Sequence, residues 1–256
     1  MLKIENLTVN YLNQQQASVK KFNLTVNSGE IVCIVGESGS GKSTVLKTIL
    51  GALPKTIQIQ ADKLTLAKQS LLSYTAKDWQ KIRGSKVSLI FQDSGAALNP
   101  IRKIGDQFVE YIQQHSKLSK QVAYQKAKEL LVKMHLSDEE SIMQSYPHQL
   151  SGGMCQRVGI ALAMTFNPEL LLADEPTSAL DVTTQRQIVN ELLALQKNFN
   201  TSIVMVTHNL GLAAYMADQL IVMEKGQVVD SGPTINVLEN PQSDYTKKLL
   251  AAVPEI

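Results

Sequence analysis

"IVCIVGESGSGKSTVLKTILGAL", residues 31 to 53, is the stretch on which the fold turns. Its first five residues form a short, β-branched and wholly apolar run, the pattern of a strand buried on both faces. A glycine-rich turn follows, and beyond Lys42-Ser43-Thr44 the apolar residues take up helical spacing. Strand, glycine loop and helix in direct succession fit G-x-x-x-x-G-K-[ST], a loop that cradles phosphates. Gly36, Gly39 and Gly41, with Ser38 and Ser40 between them, let successive backbone N–H groups turn inward, and the helix beginning near Lys42 adds the positive end of its dipole. Lys42 is expected to reach the β- and γ-phosphates, and the hydroxyl of Ser43 to ligate Mg2+, with Thr44 completing the cradle. An ordinary glycine turn does not account for a Lys-Ser pair at this offset after a buried strand.

The same strand pattern recurs at "VSLIF" (87–91), "LLLAD" (170–174) and "SIVMVTH" (202–208), and "QLIVMEKGQVVDSG" reads as a closing hairpin. Such runs between helical segments predict a parallel sheet covered on both faces. Upstream, "LKIENLTVNY" and "FNLTVNSGE" alternate, which predicts half-buried antiparallel strands with a turn at Ser28-Gly29. Between Gln92 and Pro147 there is no comparable run, and segments such as "KQVAYQKAKELLVKMHL" carry helical spacing. The expected organisation is a single α/β domain over 1–256, with sheet core in 1–92 and 151–256 and a helical lobe inserted at 93–150.

Composition narrows the function classes. The 256 residues are 44% hydrophobic, enough for a large buried core. With 25 basic and 23 acidic side chains, the net charge of +2 leaves no electrostatic footprint for a nucleic-acid partner. Cys33 and Cys155 lack the paired spacing of a zinc site or a disulfide framework, which suits a reducing cytosol. The N-terminus has no charged leader followed by an apolar stretch, and no run approaches the ~18 apolar residues of a membrane span. Trp79 reads as a packing residue of the helical lobe and His115 and His135 as helix-surface residues. Met154, Met164, Met205, Met216 and Met223 fall in apolar periodic segments and read as core packing in preference to metal handling.

Two strand ends carry further chemistry. Asp174, at the tip of "LLLAD", can hold a magnesium hydration shell, and Glu175 is then free to face an attacking water. His208, at the end of "VTH", comes to the same sheet edge, where open parallel sheets bind ligands. "YPHQLSGGMCQR" (146–157) is less easily placed. It sets a serine and two glycines at the mouth of a helix, as a phosphate site would, yet it contains no lysine.

Taken in order, "GESGSGKST", Gln92 after "VSLIF", "LSGGMCQR", "LLLADEPTSALD" and "VTH" resemble the motifs of ATP-binding cassette (ABC) ATPases, over essentially the whole chain. The resemblance implies a P-loop NTPase cassette with a mixed sheet core, an antiparallel β subdomain and an inserted helical lobe, using ATP and Mg2+. It implies that two cassettes dimerise head to tail, so that Ser151, Gly152, Gly153 and Met154 of one close over ATP held by the other. The lysine is then supplied in trans. It further implies that Tyr11 stacks on adenine, although a tyrosine on an alternating strand also serves as simple packing. Gln92 would contact Mg2+ or water and sense a membrane partner, Glu175 would act as general base, His208 would contact the γ-phosphate, and Asp181 would lie at the dimer seam.

Met154 stands where many cassettes have glutamine. With "ALNP" (97–100), "YPHQLSGGM" and the ending "ENPQSDYTKKLLAAVP", it resembles the peptide and nickel importer branch, with Ser243-Asp244 in place of the usual His-Pro before Tyr245. The branch implies a second ATPase subunit, more readily a different one than a copy, two transmembrane permease subunits, an extracellular solute-binding protein acting indirectly, and a place on the cytoplasmic face of the membrane. The sequence stops where larger peptide-transport ATPases continue into a cysteine-containing extension, which resembles the shorter nickel-type subunits. Soluble cassettes of translation or DNA maintenance pair two cassettes in one chain or insert long coiled coils, features not met in 256 residues. Lys42, Asp174, Glu175 and His208 together argue against a cassette that binds ATP without turnover.

Overall fold

A computed structural model describes residues 1–12 and 16–252. The final Val253-Pro254 of the branch-like ending lies outside the described residues. The chain begins with β1 (Leu2–Asn10) and β2 (Val19–Val26), antiparallel partners in which Leu2 lies opposite Val26 and Val9 opposite Val19. Next come β3 (Ile31–Val35) and α1 (Lys42–Ile49), the strand and helix that flank the glycine loop. Three short strands follow, β4 (Gln58–Gln60), β5 (Lys63–Leu66) and β6 (Gln69–Ser70). Then come α2 (Ala76–Ile82), opened by a Thr75/Asp78 capping box, and β7 (Val87–Ile90).

A helical stretch comprises α3 (Ser94–Ala97), α4 (Ile104–His115), α5 (Lys120–Lys133) and α6 (Glu139–Gln144), and leads through a 3-10 turn at Pro147–Gln149 into α7 (Gly152–Ala163). The apolar face of α4, made of Ile104, Phe108, Val109 and Ile112, recurs at three- and four-residue spacing and is buried together with Ala123, Ala127 and Leu131 of α5. The chain returns to the sheet with β8 (Leu170–Asp174), α8 (Val182–Phe199), β9 (Ser202–Thr207), α9 (Leu210–Met216), β10 (Gln219–Glu224) and β11 (Gln227–Pro233), and continues into α10 (Thr234–Glu239) and α11 (Asp244–Ala251).

The six-stranded sheet has the order β11-β10-β3-β9-β8-β7, parallel throughout except for the β10–β11 hairpin. It separates two cores, and the side-chain period of two assigns residues to each. Ile31, Cys33 and Val35 of β3 face the side packed by α4, α5, α7 and α8, whereas Val32 and Ile34 face α1 and the antiparallel sheet. The helix α1 is thereby sandwiched, its Val45, Leu46 and Ile49 fully buried. All four parallel runs anticipated from sequence are strands, as is the closing hairpin. Among the described residues no helix is long and apolar enough to cross a membrane.

Three features depart from the sequence reading. Strands β4 and β5 both pair with β1, and β6 pairs with β5, so the antiparallel sheet draws on residues in which no strand was anticipated. "QIQ" is exposed at all three positions and carries no hydrophobic period, so its conformation is imposed by the open edge of β1. Trp79 does not pack in the inserted helical stretch. It lies on α2 against Gly51 just beyond α1, with the Arg83 guanidinium 5.1 Å from its ring and Tyr74 edge-on at 5.3 Å. His115 ends α4 half-buried, its ring edge-on to Tyr111 and Phe166 at 5.2 and 5.4 Å, and burial pushes its imidazole below the ordinary value.

Candidate active site

The loop between β3 and α1 owes its path to glycine. Gly36 and Gly41 have φ of 150° and 101°, and a Cβ on either would run into a backbone carbonyl, that of Met223 or of Ser18 respectively. Gly41 is also the N-cap of α1 and provides no side-chain acceptor, so the first N–H groups of the helix open into the cleft without a capping oxygen. Lys42, only 4% exposed, folds back over the loop and donates to the carbonyls of Gly36 and Glu37, both at 2.7 Å, with the Ser40 hydroxyl at 3.4 Å. Burial lowers its pKa, and the carboxylates of Glu175, Asp174 and Glu37 act in the opposite sense. These loop carbonyls hold the ammonium by neutral contacts, which anionic oxygens would outbid because charge-assisted hydrogen bonds are stronger.

The neighbouring strand ends complete the site. Ser43 donates its hydroxyl proton to Asp174 Oδ1 at 2.8 Å, joining α1 to the tip of β8. Glu175 has φ of 47°, left-handed backbone that residues with a Cβ seldom adopt. Its N–H donates to the Val206 carbonyl at 2.9 Å, and its own carbonyl accepts from the Ser178 N–H and hydroxyl, both at 3.2 Å. Held in this way, Glu175 turns off the strand line and meets His208 Nδ1 at 2.9 Å through Oε2. Two adjacent carboxylates thus diverge: one toward the hydroxyl of Ser43, the other toward an imidazole.

Tyr11, Ser18, Ser38, Gly39, Gly41, Lys42, Ser43, Thr44, Gln92, Glu175 and His208 share one cleft of about 520 Å3. Tyr11 stands at its edge with its hydroxyl 3.4 Å from that of Thr44. A larger groove of about 710 Å3, bordered by Arg83, Phe91, Tyr111 and His115, has no such gathering of carboxylate, imidazole and ammonium groups. The donor set fits a nucleoside triphosphate with Mg2+. Uncapped helix N–H groups and a buried ammonium suit phosphate oxygens. Among the described residues no three His, Cys, Asp or Glu side chains gather into a metal cage, while one hydroxyl and one carboxylate at 2.8 Å suit an ion that keeps waters and takes phosphate oxygens.

The residues of "LSGGM" do not enter this cleft. Ser151 is the N-cap of α7, accepting from the Met154 N–H at 3.3 Å, and Ser151 and Gly152 are exposed. Gly152 and Gly153 face Leu180 and Thr184, beside Asp181, which caps α8 by accepting from the Thr184 N–H at 3.0 Å. One turn further along α7 lies Gln156, which the sequence analysis does not single out. Its buried amide accepts from the Ser94 N–H at 3.3 Å and donates to the Phe91 carbonyl at 3.2 Å, clamping both flanks of Gln92 to α7. No sequence signal marks it beyond its place two residues past Met154. Arg157 pairs with the buried Glu191 at 2.9 Å and ties α7 to α8; burial raises the Glu191 carboxyl and Arg157 opposes the shift.

Comparison with known proteins adds an independent line. Residues 19–178 match the family described as ABC transporter. The chain is 42% identical over 259 residues to the oligopeptide transport ATP-binding protein AppD of Bacillus subtilis (strain 168), an alignment covering 100% of this chain and 79% of that protein. It is 40% identical over 259 residues to the dipeptide transport ATP-binding protein DppD of Lactococcus lactis subsp. cremoris (strain MG1363), covering 100% of this chain and 74% of the other. Among solved structures, the cassette MJ0796, dimeric in a post-hydrolysis state with ADP and Pi, is 29% identical with a TM-score of 0.80, over 91% of this chain and 99% of that one.

Proposed function

Because this chain belongs to the ABC transporter family of ATP-binding cassettes, we propose that it is the ATP-hydrolysing subunit of a bacterial importer of peptide-type solutes, working at the cytoplasmic face of the membrane. The observation that carries this reading is the convergence of Lys42, Ser43, Glu175 and His208 on one cleft, with Asp174 bonded to Ser43 behind it and the N-terminus of α7 exposed elsewhere. An incomplete phosphate site on another face suits a second cassette better than it suits this cleft. A heterodimeric partner, two permease subunits and an indirectly acting solute-binding protein complete the proposed assembly. The names of the relatives favour peptides over nickel or a metal chelate as the solute.

In the proposed reaction a water oxygen attacks the γ-phosphorus of ATP, the β–γ bridging oxygen leaves with ADP, and inorganic phosphate is released. Glu175 takes the proton of the attacking water. His208 orients that carboxylate by holding its Oε2 through Nδ1, and stands beside the place of the γ-phosphate. Lys42 leaves the loop carbonyls for the β- and γ-phosphate oxygens, and the N–H groups of Gly39 and of Gly41 to Thr44 receive the remainder. Mg2+, held by Ser43 and Asp174 with Gln92 beside it, would neutralise charge on the phosphoryl oxygens. Tyr11 supplies a ring for adenine, and Ser151, Gly152, Gly153 and Met154 serve the partner's nucleotide, with Asp181 at the seam.

Gln92 adjoins the larger groove through Phe91, and a permease segment docked there would report on the nucleotide through the same strand end. Reconstitution of the full transporter in vesicles tests the function. ATP-driven uptake of di- and oligopeptides is expected, and it should be lost with Lys42→Ala. Uptake of nickel in place of peptides would overturn the solute assignment, and peptide uptake indifferent to Lys42→Ala would overturn the assignment of this chain as its motor.

A further inference from the structure

The segment "SDYTKKLL", residues 243 to 250, lines no part of the cleft, yet one of its side chains reaches the phosphate loop. The hydroxyl of Tyr245 on α11 accepts a hydrogen bond from the N–H of Glu37 at 2.9 Å, across 208 residues of chain. Glu37 is the residue on which the loop's internal bonds converge. Its carbonyl accepts from Lys42 Nζ at 2.7 Å and from the Ser40 N–H at 3.2 Å. Glu37, Ser38 and Gly39 are otherwise exposed, at the outer edge of the loop.

The helix that carries Tyr245 is itself anchored. The buried carboxylate of Asp230 on β11 accepts from the N–H groups of Gln242 at 3.1 Å and Ser243 at 2.9 Å. Ser243 then caps α11 by accepting from the Thr246 N–H at 3.1 Å, and Thr246 is fully buried. A continuous set of hydrogen bonds therefore runs from β11 through α11 to Glu37 and on to Lys42. The turn between β10 and β11 meets the same loop independently, the Gly226 N–H donating to the Ser40 carbonyl at 3.1 Å.

We propose that Tyr245 is a positioning residue for nucleotide binding: its hydroxyl, carried on the anchored helix α11, draws the Glu37 N–H outward and holds the phosphate loop in its receptive shape. The inference rests on the reading of the cleft as an ATP site. A loop tip bounded by Gly36 and Gly39 is conformationally free, and ordering it on binding weakens affinity unless it is ordered beforehand. With the Glu37 N–H committed to the phenol and the Ser40 N–H to the Glu37 carbonyl, the N–H groups of Gly39 and of Gly41 to Thr44 stay available for phosphate. Burial also holds the Tyr245 phenol above its ordinary pKa, so the brace stays neutral throughout the physiological range.

The full-length Tyr245→Phe variant tests this, since it keeps the ring and removes only the oxygen. Its affinity for MgATP, measured by calorimetry, should fall by about two- to tenfold, the equivalent of one net hydrogen bond. In the assembled transporter KM for ATP should rise by the same factor while the saturated rate is retained, and the thermal midpoint should fall by a few degrees at most. Amide exchange at Glu37 should be slow in wild type and faster in the variant. Wild-type affinity and KM in a folded Tyr245→Phe protein would overturn the proposal. If the variant does not fold, rapid Glu37 exchange in the wild-type chain would overturn it and slow exchange would support it. Failure of the wild-type chain to bind MgATP would instead overturn the reading of the cleft.

Discussion

Replacing Glu175 by glutamine isolates proton transfer from everything else this residue does. Glutamine is nearly isosteric and can adopt the φ of 47° no less readily than glutamate, so the turn held by Val206 and Ser178 should survive. Its amide oxygen can still accept from His208 at the position where Oε2 now lies, 2.9 Å from Nδ1. What is lost is basicity. Losing a general base slows hydrolysis by roughly 10²- to 10⁴-fold, which at 1.36 kcal/mol per decade is about 2.7–5.4 kcal/mol of barrier. His208→Ala removes the contact that orients the carboxylate but leaves the base itself in place. A hydrogen bond to a charged group is worth about 1.5–3 kcal/mol, or roughly 10- to 150-fold, so the histidine variant should be the less impaired. Phosphate release from the assembled transporter at saturating MgATP measures both. Glu175→Gln should also accumulate as an ATP-dependent dimer on gel filtration when its partner cassette is supplied. A normal rate in Glu175→Gln, or a deeper defect in His208→Ala, would refute the division of labour between these two residues.

Lys42→Ala removes the buried ammonium and should weaken MgATP binding by about 10- to 150-fold, the worth of a charge-assisted hydrogen bond; unchanged affinity by calorimetry would refute its place in the cradle. Ser151→Arg loses the cap of α7, worth about 1 kcal/mol, and places a bulky cation on an exposed surface. The isolated chain should still bind ATP while the ATP-dependent dimer disappears, and loss of monomer binding would sink the in-trans role. Gln156→Leu leaves the Ser94 N–H and the Phe91 carbonyl without their partner. It should lower the thermal midpoint and uncouple ATP turnover from transport in vesicles while nucleotide affinity is retained, and unaltered coupling would show that the clamp on Gln92 is dispensable.

What could be read directly was whatever depends on near neighbours in the chain. The phosphate loop is contiguous, so a buried five-residue strand, glycines at fixed offsets and a Lys-Ser-Thr helix start together specify its shape. Alternation within β3 likewise divides its side chains between two cores. Where local pattern was weak, the reading was incomplete. Strand β4 is polar and exposed and owes its conformation to β1, and Trp79 reaches Gly51, a partner that no periodicity names.

The sequence alone determined which chemical groups stand at the strand ends: a hydroxyl after Lys42, two carboxylates after "LLLA" and a histidine after "VT". Only the tertiary structure decided which of them meet. Ser43 finds Asp174 across 131 residues, Glu175 finds His208 across 33, and Glu37 finds Tyr245 across 208. Such pairings follow from the order of strands in the sheet and from the packing of helices on it, because backbone register and burial bring distant residues within hydrogen-bonding distance where local propensity carries no record of the partner.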